Sequence, residues 1–142
     1  MADRHARIAE FLKRHRGGPH DPRYAAFFDC FNRGLFYEAH EVLELHWLPA
    51  RRQPDGNFFK ALIQLAGAFV HCQKARLGPA AALFRLADAN FSAYPAEHLD
   101  LDVAGTRAQI ANWLADLEVR QRNPLAAGPP RLAQLRRTRR DS

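Results

Sequence analysis

Residues 58–76 read FFKALIQLAGAFVHCQKAR, the longest apolar stretch in the chain. Placed on a wheel at about 100° per residue from Phe58, its apolar side chains occupy most of the circumference. Gly67, Lys60, His71 and Gln64 fall at roughly 180° to 240°, with Lys74 at about 160°. A helix that is apolar nearly all round belongs at the centre of a bundle. The stretch therefore predicts an all-α fold of about six helices packed around a central one over about 57–76. Gly67, inside the polar seam, costs about 1 kcal/mol of helix propensity relative to alanine. A glycine there lets a neighbouring helix approach closely.

The segment before it, FYEAHEVLELHWL at 36–48, supplies the second set of polar residues. With Phe36 at 0°, Trp47 falls at about 20°, Leu43 at about 340° and Ala39 at about 300°. His40 at about 40° lies inside that apolar arc and Glu44 at about 80° lies at its margin. A histidine and a carboxylate at i,i+4 are neighbours on a helix surface, so the pair is expected to hydrogen-bond toward the core or a cleft at its edge. Glu38, Glu41 and Leu45, roughly 140° to 200° away, are expected in solvent. The seam of the 57–76 helix is expected to meet the His40–Glu44 edge, gathering His40, Glu44, Gln64 and His71. Tyr37 flanks the pair, as would suit the wall of a small-molecule pocket.

Outward from these two stretches the chain reads as helix throughout. Ile8, Phe11 and Leu12 recur at helical spacing until Gly17-Gly18-Pro19 breaks the pattern. Asp21 is placed to cap a second helix with Pro22 at its first position, and Gly34 to end it. The third helix is expected to stop before Pro49. Pro79 is expected to start a fifth, with Ala80, Leu83, Phe84 and Ala87 on one side, and Ile110, Trp113, Leu114 and Leu117 mark a sixth over about 103–118. No run of clean alternation suggests a strand. The reading is one all-helical domain over 1–122, followed by a Pro/Arg-rich tail, 123–142, with little to bury and an expected loose conformation.

Residues 1–119 hold 14 Lys+Arg against 14 Asp+Glu, whereas 120–142 hold seven arginines against Asp141 alone. The net charge of +6 therefore belongs to the tail. Arg131, Arg136, Arg137, Arg139 and Arg140 would favour weak, non-specific association with an anionic partner. A neutral body without a basic groove argues against sequence-specific nucleic-acid binding. No apolar run approaches the roughly 20 residues that span a bilayer. Cys30 and Cys72 are isolated within apolar patterns and read as buried, reduced thiols, which suits the cytoplasm.

FNRGLFYEAHEVLELHW at 31–47, followed by FFKALIQLAGAFVHCQKARLGPAAALFRLA at 58–87, resembles the core of the domain-of-unknown-function 309 family. The matching positions are Phe31, Asn32, Gly34, Phe36, Glu38, Ala39, His40, Glu41, Leu43, Glu44 and Trp47, then Leu62, Ile63, Gln64, Ala66, Ala68 and His71. The resemblance covers about residues 24–92. It implies a small all-α bundle around a central helix and implies no activity.

Three functional readings follow. In the first, the polar cluster of His40, Glu44, Gln64 and His71 is architectural or binds a small ligand, with no cofactor. In the second, His40, Glu44 and His71 hold a divalent metal, since zinc and iron accept imidazole nitrogen and carboxylate oxygen; Glu41 or a bound water would then do acid–base work in a hydrolase-like enzyme. H-E-x-x-E at 40–44 is not the H-E-x-x-H of zinc proteases, and no G-x-S-x-G supplies a nucleophile. In the third, the basic tail docks the domain on an acidic partner.

Overall fold

A computed structural model describes residues 2–135, with side chains from residue 5 onward. Six α-helices follow in order: α1 (Ala2–Arg14), α2 (Pro22–Asn32), α3 (Phe36–Ala50), α4 (Gly56–Gln73), α5 (Leu77–Phe91) and α6 (Val103–Glu118). Successive helices from α2 to α6 pack side by side, and α1 lies on α2. Short connections at 33–35 and 74–76 fold the chain back at each step as αα-hairpins.

As the wheel predicts, α4 is central. It buries Phe58, Phe59, Ala61, Leu62, Ile63, Leu65, Ala66, Ala68, Phe69 and Cys72, most of its circumference. Phe69 joins the layers. Its ring stacks on Phe36 of α3 at 5.1 Å and meets Phe31 of α2 at 5.6 Å, Phe84 of α5 at 5.2 Å and Trp113 of α6 at 4.8 Å, the last three edge-on. Edge-to-face and offset pairs at such spacings add to plain area burial.

Helix ends follow local chemistry. The Asp21 carboxylate accepts the Arg23 amide at 2.9 Å, with Pro22 opening α2, and Gly34 closes it at φ 78°. The expected stop before Pro49 does not occur; α3 runs on to Ala50. Proline has no N–H and leaves the carbonyl four residues earlier without its helical donor. The Arg23 guanidinium donates to that carbonyl, of Leu45, at 3.4 Å. α5 likewise begins at Leu77, before Pro79, because a first-turn residue needs no amide donor. A Cβ on Gly67 would meet Leu83 Cδ1 of α5 at 3.2 Å, so this glycine sits where α5 crowds α4.

Two further features depart from the sequence reading. A two-stranded antiparallel pair, β1 (Glu97–His98) and β2 (Leu101–Asp102), interrupts the helices. Its turn holds Leu99 at φ 46° and Asp100 at φ 61°, a left-handed conformation costing a non-glycine residue about 1 kcal/mol or more. The surroundings hold the turn in place. Tyr24 donates its hydroxyl to the Leu99 carbonyl at 2.7 Å, His20 Nε2 meets the Asp100 carboxylate at 2.7 Å, and Leu135 donates its amide to the Asp100 carbonyl at 2.7 Å. No local alternation marks such short strands, which is why sequence reading passes over them.

The second departure is the tail. Its described part, through residue 135, is packed on the body. Asn123 donates to the Cys72 carbonyl at 2.6 Å and caps a short 3-10 helix, Pro124–Ala127. Pro124, Pro130 and Leu132 are buried. Three prolines narrow the unfolded ensemble and so lower the entropy cost of docking this stretch. Arg136, Arg137, Arg139 and Arg140 lie outside the described residues.

Candidate functional site

The buried residues of α3 are Phe36, Glu38, Ala39, Val42 and Leu43, an arc running from about 200° to 360° on the wheel. The sequence reading centres that arc on the aromatic rings, near Phe36 and Trp47. The structure turns it toward Ala39 and Val42, whose small side chains admit neighbours closely, and α1 covers the far edge. Glu38, expected in solvent, is 8% exposed and accepts Arg7 of α1 at 2.8 Å. The opposite side therefore opens outward.

That rotation decides where the predicted site residues stand. His40 is half-buried and Glu44 exposed. The expected hydrogen bond is not made: among the described residues, no hydrogen bond or ion pair joins His40 to Glu44. His40 has the Tyr37 ring 6.4 Å away. Tyr37 itself is exposed and Glu41 half-buried.

The seam of α4 is turned to α5. Gln64 Oε1 accepts from Asn90 of α5 at 2.8 Å, Gly67 faces Leu83, and His71 lies on the same stripe, half-buried. The four-residue cluster is thus divided between two helix margins. Among the described residues, no group of three or more His, Cys, Asp or Glu side chains is gathered as a metal site would need, so His40, Glu44 and His71 do not form the expected ligand set. The cysteines are free and buried. Burial pushes the Cys72 thiol up to about 11 and the Cys30 thiol up to about 12, which leaves little thiolate for nucleophilic work.

The structure gives His15, His20, His46 and His98 each an aspartate. His15 meets Asp29 at 3.0 Å, His20 meets Asp100 at 2.7 Å, His98 meets Asp55 at 2.7 Å, and His46 Nδ1 stands 3.7 Å from Asp21. Most of these partners are far apart in sequence, so no spacing could announce them. Burial lowers the His46 pKa, with Asp21 opposing. Asp29 and Asp116 show the reverse balance. Burial raises both carboxyls, and hydrogen bonds from neighbouring side chains bring them below the usual aspartate range: from Arg33 and His15 for Asp29, from Arg120 and Arg122 for Asp116.

A carboxyl depressed in the folded state binds fewer protons there than in the unfolded chain. Its contribution is complete above the unfolded value and is lost as the pH falls through the folded one. Stability should therefore decline as acid is added below the ordinary aspartate value of 3.8. Asp116 accepts Arg120 at 2.7 Å and Arg122 at 3.1 Å, closing the end of α6. Asp116→Asn is expected to cost about 2 kcal/mol near neutrality and to flatten the acid limb of a melting-temperature profile. An unchanged acid limb would remove this carboxylate from the account.

One open feature has the character of a binding surface. Between α1 and α3 runs a groove of about 370 Å3, with Ile8, Ala9, Leu12 and Leu45 as apolar walls and His5, Glu41 and Glu44 as polar lining. Beside it, the outward side of α3 carries Tyr37 (42% exposed), Leu45 (55%) and Leu48 (50%). No helix among the described residues is long and apolar enough to cross a membrane.

Comparison with known proteins agrees with the resemblance read from the sequence. Residues 24–83 match the model of the family described as Domain of unknown function (DUF309). The matched stretch runs from within α2 through α3 and α4 into α5. No curated protein matches the chain.

Proposed function

We propose that this chain, with its DUF309 segment, is a binding domain. Its working surface is the outward side of α3 with the α1–α3 groove, and its ligand is an amphipathic, basic helix of a partner protein. The observation that carries the reading is the common side shared by Tyr37, Leu45 and Leu48. Exposed apolar residues scattered singly need no explanation, but clustered beside a groove they favour contact with a partner. Tyr37 to Leu48 spans about 16 Å of helix at 1.5 Å per residue, the length of about three turns of a docked helix. Glu44 is exposed at the margin of this side and complements lysine or arginine flanking the partner's apolar positions. Two copies meeting through this side would bring like charges together, which disfavours self-association.

The test uses a fluorescent helical peptide of leucine and lysine and its leucine/glutamate counterpart, titrated with the full chain. The basic peptide is expected to bind and the acidic one to fail. Leu45→Arg is expected to weaken binding at least about tenfold, equal to about 1.4 kcal/mol, with little change in melting temperature because Leu45 lies half outside the fold. Equal affinity of wild type and variant would end the proposal.

A further inference from the structure

Residues 131–135 lie along the edge of β2 and are held chiefly by their main chain. Gln109 of α6 donates to the Arg131 carbonyl at 2.9 Å. The Asn32 carboxamide accepts the Leu132 amide at 2.9 Å and donates to the Leu132 carbonyl at 3.4 Å. Asp102 donates its amide to the Ala133 carbonyl at 3.3 Å, Leu135 donates to the Asp100 carbonyl at 2.7 Å, and Gln134 bridges Leu101 in antiparallel register. One side chain is anchored: Leu132 is 2% exposed, while Arg131, Ala133 and Gln134 face outward.

This pattern is that of strand addition, in which main-chain hydrogen bonds supply affinity and a side-chain pocket supplies selectivity. Asn32 offers one donor and one acceptor to a single residue, as a neighbouring strand would. The strained Leu99–Asp100 turn presents its Asp100 carbonyl at the same edge, and strained backbone of this kind collects at sites of function. The segment does not fill its cleft. Cavities of about 320 Å3 toward α2 and about 500 Å3 toward α6 are lined in part by Arg131 and Gln134.

We infer that the cleft bounded by Asn32, Gln109 and the Asp100–Asp102 edge is a peptide-binding site. It takes an extended segment of another protein with a leucine where Leu132 stands, and the chain's own residues 131–135 occupy it in cis. Gly128-Pro129-Pro130 connects this occupant to the body. With one buried anchor, the occupant belongs to the class of segments that open locally without global unfolding. The site shares no residue with the α3 surface.

The test uses the full-length chain and a fluorescent peptide of its residues 128–135, GPPRLAQL. Leu132→Asp in the protein frees the cleft, so the peptide is expected to bind this variant at least about tenfold more tightly than wild type, about 1.4 kcal/mol. Adding Asn32→Ala is expected to abolish the gain, and Leu45→Arg to leave it intact. Far-UV circular dichroism checks the fold; if Leu132→Asp loses helix, Leu132→Ala makes the same comparison with a smaller gain. Failure of the peptide to bind any folded variant, or equal binding with and without Asn32, would overturn the inference.

Discussion

Phe69→Ala is expected to destabilise the protein by about 4 kcal/mol, near the upper part of the range for deleting a buried phenylalanine. The size follows from position. Phe69 is fully buried and touches aromatic rings from α2, α3, α5 and α6. Truncation removes one side of four ring pairs, and five helices cannot collapse together into one small void, so the cavity penalty adds to the lost transfer energy. Thermal denaturation should report a fall of roughly 15 °C for a domain of this size. Phe69→Leu, which retains most of the volume, is expected to cost about 1.5 kcal/mol. A loss below about 1 kcal/mol for Phe69→Ala would mean that α4 is not the common core element.

The next largest expected loss comes from a single methyl group. Gly56 opens α4 where the chain turns back after α3, and a Cβ there would meet the Arg51 carbonyl carbon at 2.6 Å and the Ala50 oxygen at 3.1 Å, with the Arg51 oxygen nearer still. These are backbone atoms and cannot swing aside as a side chain would. Gly56→Ala is therefore expected to cost about 3 kcal/mol through overpacking, although alanine is the better helix former. Gly78→Ala provides the contrast, since nothing lies within 4 Å of its Cβ position; that change should be neutral or stabilising by about 0.5 kcal/mol. Equal melting temperatures for the two variants would show that the 51–55 turn yields freely.

The all-α fold was legible because one helix carries it. The continuous apolar circumference of 58–76 leaves α4 no position except the middle, and the Asp21-Pro22 and Gly34 signals mark ends that depend on local chemistry. Pro49 was misread because the donor that satisfies the Leu45 carbonyl is Arg23, 22 positions away. The short strands beside Leu99 and Asp100 were not legible because their turn is imposed by Tyr24, His20 and Leu135 rather than by glycine or asparagine of its own.

The candidate site was legible in part. Helix α3 was found and its orientation was not, and the helix across the groove from it is α1 rather than the expected α4. On α3 the large rings of Phe36 and Trp47 drew the apparent core direction toward themselves, whereas packing followed the small residues Ala39 and Val42 and the Arg7–Glu38 ion pair. A wheel weighted by hydrophobicity has no term for which side another helix can approach. The consequence was to assign His40 and Glu44 inward and Glu38 outward; Leu45 was rightly placed in solvent, and Leu48 was passed over as surface. Likewise, the α4 seam is polar because Gln64 meets Asn90 across to α5, a partner no pattern within α4 could name. Asn32, read simply as part of the family resemblance, proves to be the side chain that receives Leu132 from 100 positions later.

The account's central claim is that the open side of α3 is the working surface. The most direct test is chemical-shift mapping of the full, isotope-labelled chain during titration with the leucine/lysine helix. The predicted result is a contiguous set of perturbed amides on α1 and α3, around Ile8, Leu12, Tyr37, Glu44, Leu45 and Leu48, with Asn32, Gln109 and Leu132 unmoved. Perturbations confined to the Asn32–Leu132 cleft, or scattered without a common face, would contradict it.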